Sequence, residues 1–140
     1  MAFTGNYTCN TFKTGLLNGS FDFTSGTFYI ALYTNSATLN ENTTEYTSVG
    51  EASGGNYAAP GQLLVIDQTP TTGPSGDTAF VSFANASWTG AITARGALIY
   101  KSGPNGAVCV LDFGADKTSI STFTVQFPTA TNTSAILRLG

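Results

Sequence analysis

The sequence predicts an all-β, single-domain fold, an antiparallel β-sandwich of jelly-roll-like arrangement with a short N-terminal arm or helix. Roughly seven or eight short segments rich in aromatic and β-branched residues are separated by turn-forming Gly, Pro, Asn and Ser, which is typical of sandwiches and jelly rolls. After the first twenty residues no segment keeps a helical periodicity, and the strand–helix alternation of a parallel sheet is missing. A length of 140 residues fits one such domain.

The first segment predicts an arm or short helix over residues 1–20, followed by the sandwich domain over residues 21–140. Phe12, Leu16 and Leu17 have helical spacing, and Gly19 is a stop signal. Terminal arms can leave a domain and dock on a neighbour. The aromatic residues of this arm are therefore expected to contact a partner.

The strands are predicted from short apolar runs bounded by turn residues. The clearest is Thr27 to Thr34, since Ser25-Gly26 and Asn35-Ser36 flank a run of aromatic and β-branched residues. A turn region is expected around residues 69–77. The other predicted strands are Leu63 to Asp67, Thr78 to Phe83, Ser87 to Trp88, Ile92 to Tyr100, Val108 to Phe113, Phe123 to Phe127 and Ala135 to Leu139.

A long polar excursion, Asn35 to Gly61, interrupts this series. It contains three acidic residues, Glu41, Glu45 and Glu51, and the pair Gly54-Gly55. Loops of this length in a compact domain are uncommon and are usually functional or disordered. We predict that it is an exposed contact loop, with a short strand or turn around Tyr46 to Val49; a solvated insertion without a role is the alternative.

The composition excludes several classes of partner. Charged residues make up 9% of the chain, against about 25% in average domains, so the surface is built from hydroxyl and amide groups, which suits packed assemblies. The five basic residues are scattered and the net charge is -3, which argues against nucleic-acid binding. No apolar window is long enough for a membrane span. Without a signal peptide, the protein is expected to be made in the cytoplasm, with Cys9 and Cys109 as free thiols rather than a bridge.

The sequence offers little for catalysis. It has no His, which removes the commonest general base, the Ser-His-Asp arrangement and the commonest zinc sites. The carboxylates lie in expected turns, where they cap amides or stay solvated. Asp112 and Asp116 are spaced like cation ligands but lack the density of a calcium loop, and a hairpin turn accounts for Gly103-Pro104-Asn105-Gly106. We therefore predict no enzyme activity, no cofactor and no metal.

Aromatic residues and one arginine are the remaining unusual features. The tyrosines and Trp88 could form a sugar-stacking platform, although core or interface anchors are the more frequent role of aromatic residues in strands. Arg95 interrupts the apolar run from Ala91 to Tyr100. Its charge must be paired, so we expect a hydrogen-bond role within the sheet or across a subunit interface.

Several strings along nearly the whole chain resemble small virion proteins of tailed phages, including cyanophages. They are FKTGLLNGSFDF from Phe12, FYIALYTNSATLNENTTEYT from Phe28, Gly55-Asn56-Tyr57, ITARGALIYKS from Ile92, and AVCVLDFGADKTS from Ala107 followed by FTVQFP. Such proteins are commonly described as structural, head-decoration or cement proteins. The resemblance implies no catalytic residues.

The resemblance implies a capsid decoration protein that binds the outer surface of the major capsid lattice and stabilises the head. The expected partner is the major capsid protein, the expected assembly a homotrimer, and the expected location the virion surface. A head-fibre, tail or receptor- or glycan-binding module is the alternative. The residues expected to contact partners are Phe3, Tyr7 and Phe12 in the arm, Glu41, Glu45, Tyr46, Glu51 and Tyr57 in the loop, and Arg95.

Overall fold

The described part of the chain, residues 3–73 and 76–139 of a computed structural model, consists of short strands and one helix. Pro74 and Ser75 of the predicted turn region, and the residues at both chain ends, lie outside it. The elements are β1 (Tyr7–Thr8), α1 (Asn10–Asn18), β2 (Tyr29–Tyr33), β3 (Gln62–Leu63), β4 (Ile66–Thr71), β5 (Ala79–Phe83), β6 (Ala86–Thr89), β7 (Thr93–Tyr100), β8 (Ala107–Thr118), β9 (Thr122–Val125) and β10 (Leu137–Leu139).

The strands form antiparallel sheets of five, three and two strands, in the orders β1-β8-β7-β2-β3, β10-β5-β4 and β6-β9. In the large sheet Ile30 lies opposite Ile99, and Leu98 lies opposite Val110. The prediction of an all-β fold with antiparallel sheets and a short helix is confirmed. The finer prediction of a jelly roll is not confirmed, because the described strands are divided among three sheets.

The main core lies between one face of the five-stranded sheet and the two smaller sheets. Ile30 and Leu32 of β2 point into it together with Phe83 of β5 and Trp88 of β6. Helix α1 adds Phe12, and the segment after the helix adds Phe21, Phe23 and Phe28, whose rings pack edge-on or stacked. Burial of this apolar surface is the main force that holds the layers together.

The opposite face of the large sheet is apolar as well. Ala31 and Tyr33 of β2, which alternate with the core residues, form a second buried cluster with Leu98 and Tyr100 of β7. Ala37 and Leu39 of the Asn35 to Gly61 loop cover this cluster and are almost fully buried. The loop therefore covers the sheet with part of its length, whereas Glu45 and Val49 are exposed, so the predicted exposure holds for only part of the loop.

The N-terminal segment is part of the domain and not a free arm. Strand β1 pairs with β8, and Phe3 is 1% exposed in the second cluster. Gly96 makes room for it, because a Cβ there would lie 2.4 Å from the Phe3 ring. Within the expected division into residues 1–20 and 21–140, Phe12 of the first segment shares one core with the later strands.

The predicted helix is present, but fewer of its residues face the core than the spacing of Phe12, Leu16 and Leu17 predicts. Phe12 and Gly15 are its buried residues, whereas Leu17 is 92% exposed. The helix ends at Gly19, which has the left-handed φ of 79° that glycine adopts without strain. Among the described residues this is the one helix, and it is far too short to cross a bilayer.

Several strand boundaries differ from the sequence prediction. β4 continues through Pro70 into the expected turn, which is tolerated because β4 is an outer strand that needs no N–H there. β8 extends to Thr118, beyond the predicted end at Phe113. Of the strand or turn predicted around Tyr46 to Val49, a turn is present at Val49 and Gly50, and Glu51 makes an isolated bridge to Tyr33.

Both cysteines are buried and free, as the sequence predicts. Burial raises the pKa of the Cys9 thiol to about 11, although the charge of Lys13 opposes the shift. Burial also raises the pKa of Cys109. The thiols are therefore protonated packing groups at neutral pH.

Replacing Phe3 by Ala should destabilise the protein by about 3 to 5 kcal/mol, because it empties a buried site over Gly96 that no neighbouring side chain fills. Chemical denaturation measures the change in the free energy of unfolding. The matched control is Leu17→Ala, which should change it by less than about 0.5 kcal/mol. Equal effects of the two substitutions would show that Phe3 is not a core residue.

Candidate functional site

Three of the predicted contact residues meet in one network, which we call the tyrosine cluster: Glu51, Tyr46 and Tyr57, with Tyr33 and Tyr100 beside them. Tyr46 donates a hydrogen bond to Oε1 of Glu51 and Tyr57 donates one to Oε2, each over 2.5 Å. Tyr57 also accepts the backbone N–H of Leu32 over 3.0 Å. The glutamate therefore connects two points of the loop to strand β2.

The neighbouring tyrosines attach the same loop to the sheet. Tyr33 donates to the carbonyl of Thr47 over 2.7 Å, and Tyr100 donates to the carbonyl of Pro60 over 2.6 Å. The rings of Tyr46 and Tyr100 are stacked with centroids 5.1 Å apart. Farther along, Asn56 exchanges hydrogen bonds with the backbone of Thr89. The loop is consequently held in one geometry over most of its length.

Burial suppresses ionisation of these tyrosines. Desolvation, followed by the hydrogen bond to Glu51, raises the pKa of Tyr46 to about 12. The same two causes raise the pKa of Tyr57 further, and desolvation raises the pKa values of Tyr33 and Tyr100. The hydroxyls are thus permanent donors at physiological pH, which suits a structural network better than proton transfer.

A second network lies where the N-terminal segment meets β7 and β8. Arg95 contacts Oδ1 of Asp112 through Nε at 3.1 Å and through a terminal nitrogen at 3.0 Å. The Phe3 ring lies against the guanidinium, with its centroid 6.0 Å from Cζ. Asp112 also receives the N–H of Gly114, and its own N–H donates to the Asn6 side chain. Arg95 therefore pairs within the sheet and ties down the N-terminal segment.

The remaining predicted contact residues differ in how much surface they offer. Glu45 is exposed, and Glu41 and Tyr7 are half-buried. The carbonyl of Glu41 accepts the N–H of Asn10 at the start of α1 over 2.8 Å. Phe3 and Phe12, by contrast, are core residues, so their prediction as partner contacts is corrected. A sequence does not show whether a terminal aromatic residue finds a site within its own domain.

Sequence reasoning missed a groove on the described surface. It has a volume of about 930 Å³ and lies between α1 and strands β5 and β10. We call it the α1–β10 groove; its walls include Lys13, Leu16, Phe80, Leu137, Arg138 and Leu139. The exposed leucines of the helix and the alternating Leu-Arg-Leu at the chain end were the signals for it in the sequence.

A smaller groove of about 430 Å³ lies beside the end of β8 and strand β9. Phe113 and Phe123 contribute aromatic surface, with ring centroids 6.1 Å apart, and Lys117 and Gln126 contribute polar groups. This mixture of ring faces and hydrogen-bonding groups is the kind that binds sugars.

No arrangement suited to a metal ion is found in residues 3–73 and 76–139, where no three His, Cys, Asp or Glu side chains converge. Asp112 is engaged by Arg95 and by the N–H of Gly114, the turn-type bond expected of such a residue. The hydroxyl, amide and apolar groups of the surface are instead suited to contacts with other molecules.

Replacing Glu51 by Gln should destabilise the protein by about 1 to 3 kcal/mol, because it removes a charged acceptor from two tyrosine hydroxyls and places an amide N–H₂ against one of them. The free energy of unfolding and the rate of proteolysis in the loop should both respond. Glu45→Gln, at an exposed position of the same loop, is the control and should leave both nearly unchanged. Equal responses would remove Glu51 as the anchor of the loop.

The stability of the fold should decline between pH 10 and pH 12. Tyrosines of the unfolded chain ionise near pH 10, whereas Tyr46 in the folded protein keeps its proton to about 12. The unfolded state therefore binds fewer protons in this range, and stability that is complete below pH 10 is lost as the pH rises. Near-ultraviolet absorbance, followed together with circular dichroism, should show the cluster ionising as the chain unfolds. Ionisation of all tyrosines before unfolding would contradict this.

No protein-family model matches the chain, and no match was found among curated proteins or solved structures.

Proposed function

We propose that this chain is a non-enzymatic structural protein of a tailed-phage virion, of the capsid decoration or cement type. It binds the outer surface of the major capsid lattice, as a homotrimer, and stabilises the head. It is made in the host cytoplasm and acts on the capsid surface, where it contacts neither nucleic acid nor membrane.

Exposed apolar side chains on a weakly charged surface are the observation that carries this proposal. Single exposed apolar residues are normal, but groups of them on a small domain mark surfaces that another protein covers. Charged residues are only 9% of the chain, so few charges would have to be desolvated in a contact. The most exposed large apolar residues are Leu17, Ile120, Val49, Leu139, Val65 and Leu63.

The rigidity of the loop supports the same function. A contact loop that is already ordered loses little conformational entropy when it binds, and the tyrosine cluster supplies this order through Glu51. A protein that binds the assembled lattice but not free subunits stabilises the lattice by mass action. The increase in capsid strength then depends on occupancy and requires no chemical step.

A head-fibre, tail or receptor-binding module is the second candidate. The groove beside β8 and β9 favours it, because Phe113 and Phe123 offer ring surface next to Lys117 and Gln126. Sugar-binding sites combine an aromatic face with such hydrogen-bonding groups. In this case the ligand would be a host-surface glycan instead of the capsid lattice.

Labelling the protein on intact particles should place it at regular positions on the outer surface of the head. Heads stripped of it should rupture at a lower temperature than decorated heads, and adding back purified protein should restore the difference. A label confined to the tail or fibres, together with binding of purified protein to a glycan array, would contradict the decoration role and favour the second candidate.

A further inference from the structure

The α1–β10 groove is an apolar concave surface that the described residues leave open. Leu16 of the helix and Phe80, Leu137 and Leu139 of the facing strands contribute to its walls. Leu16 and Leu139 are exposed among them. Exposed apolar side chains grouped at one groove mark a surface that another protein covers.

Two cations give this groove a positive rim. Lys13 and Arg138 both line it, and within the described chain the one ion pair is the distant Arg95–Asp112. Lys13 contacts only the side chain of Asn10, and one nitrogen of Arg138 bonds the carbonyl of Thr133. Both cations therefore keep free donors.

One acidic group lines the same groove and reduces its positive charge without cancelling it. Asp22 also lines the groove, but its carboxylate accepts hydrogen bonds from Thr24 and Ser25. These hydrogen bonds orient the Asp22 carboxylate toward the residues that follow it in the chain. The groove thus offers an apolar floor and two available cations in a chain whose net charge is -3.

The tip of the Asn35 to Gly61 loop has the complementary chemistry. Glu45 is exposed, and Val49, four positions later, is 70% exposed. Their neighbours Tyr46 and Glu51 belong to the tyrosine cluster, so the tip is held rigid. Neither Glu45 nor Val49 lines the groove of its own chain.

From this complementarity we infer that the loop tip of one copy docks in the α1–β10 groove of a second copy. Val49 packs among the leucines, and the Glu45 carboxylate pairs with Lys13 and Arg138. Each copy presents one tip and one groove, so the contact is head-to-tail and closes into a ring when the rotation allows. The inference deepens the proposed function. It rests on that function for one point, that the ring contains three copies.

Charge reversal tests this contact in the full-length protein. Sedimentation velocity over a concentration series compares wild type, Lys13→Glu/Arg138→Glu, Glu45→Lys, and all three changes combined. Wild type should associate, each reversal alone should weaken association about tenfold or more, and the combination should regain it to within about threefold. Asp116→Lys, which reverses an exposed charge outside both grooves, is the control and should associate like wild type.

Circular dichroism verifies that each variant is folded. If a reversal unfolds the chain, Lys13→Gln/Arg138→Gln replaces it, with a smaller loss in the same direction. A wild-type protein that is monomeric throughout, association that is insensitive to the reversals, or a combination that fails to recover would each overturn the inference.

Imaging of the labelled protein on particles distinguishes a failure of this inference from a failure of the proposed function. A monomeric protein that still decorates heads would overturn the inference and the proposed trimer, and would leave the decoration role standing. A ring that depends on the groove but is found away from heads would overturn the proposed function alone.

Discussion

The constraint on which the structure depends is a central sheet that is apolar on both faces. Ile30 and Leu32 point to one side while Ala31 and Tyr33 point to the other, and all four are fully buried. Neither face can be left in water. The two smaller sheets with helix α1 cover the first face, and the N-terminal segment with the long loop covers the second. A stretch that reads as polar loop is therefore required by the hydrophobic effect.

The strands could be predicted because their apolar runs are short and turn residues bound them. The covering of the second face could also have been inferred, since the uninterrupted apolar runs at residues 97–100 and 107–110 are typical of strands in a sheet covered on both sides. Which segment covers the second face could not have been inferred from the sequence. Phe3 over Gly96 depends on the register between β1 and β8, and local sequence does not encode the register of distant strands.

The candidate site, like the fold, could be predicted from the sequence only in part. Glu51, Tyr46 and Tyr57 were selected as exposed contacts, but they meet because the loop folds back over strand β2. The α1–β10 groove was missed because Lys13 and Arg138 are at opposite ends of the chain. Composition and aromatic content identify candidates for contact, whereas their grouping into a surface is a property of the three-dimensional fold.

The single ion pair among the described residues, Arg95–Asp112, separates the electrostatics of folding from those of association. The fold is held by apolar burial and by hydrogen bonds between hydroxyl, amide and backbone groups, which mobile ions scarcely screen. A contact between a free carboxylate and two free cations at a surface is screened over about 8 to 10 Å at physiological ionic strength. For the contact that we infer between copies, salt would therefore weaken assembly while the subunit keeps its fold, and ionic strength would control the number of associated copies reversibly.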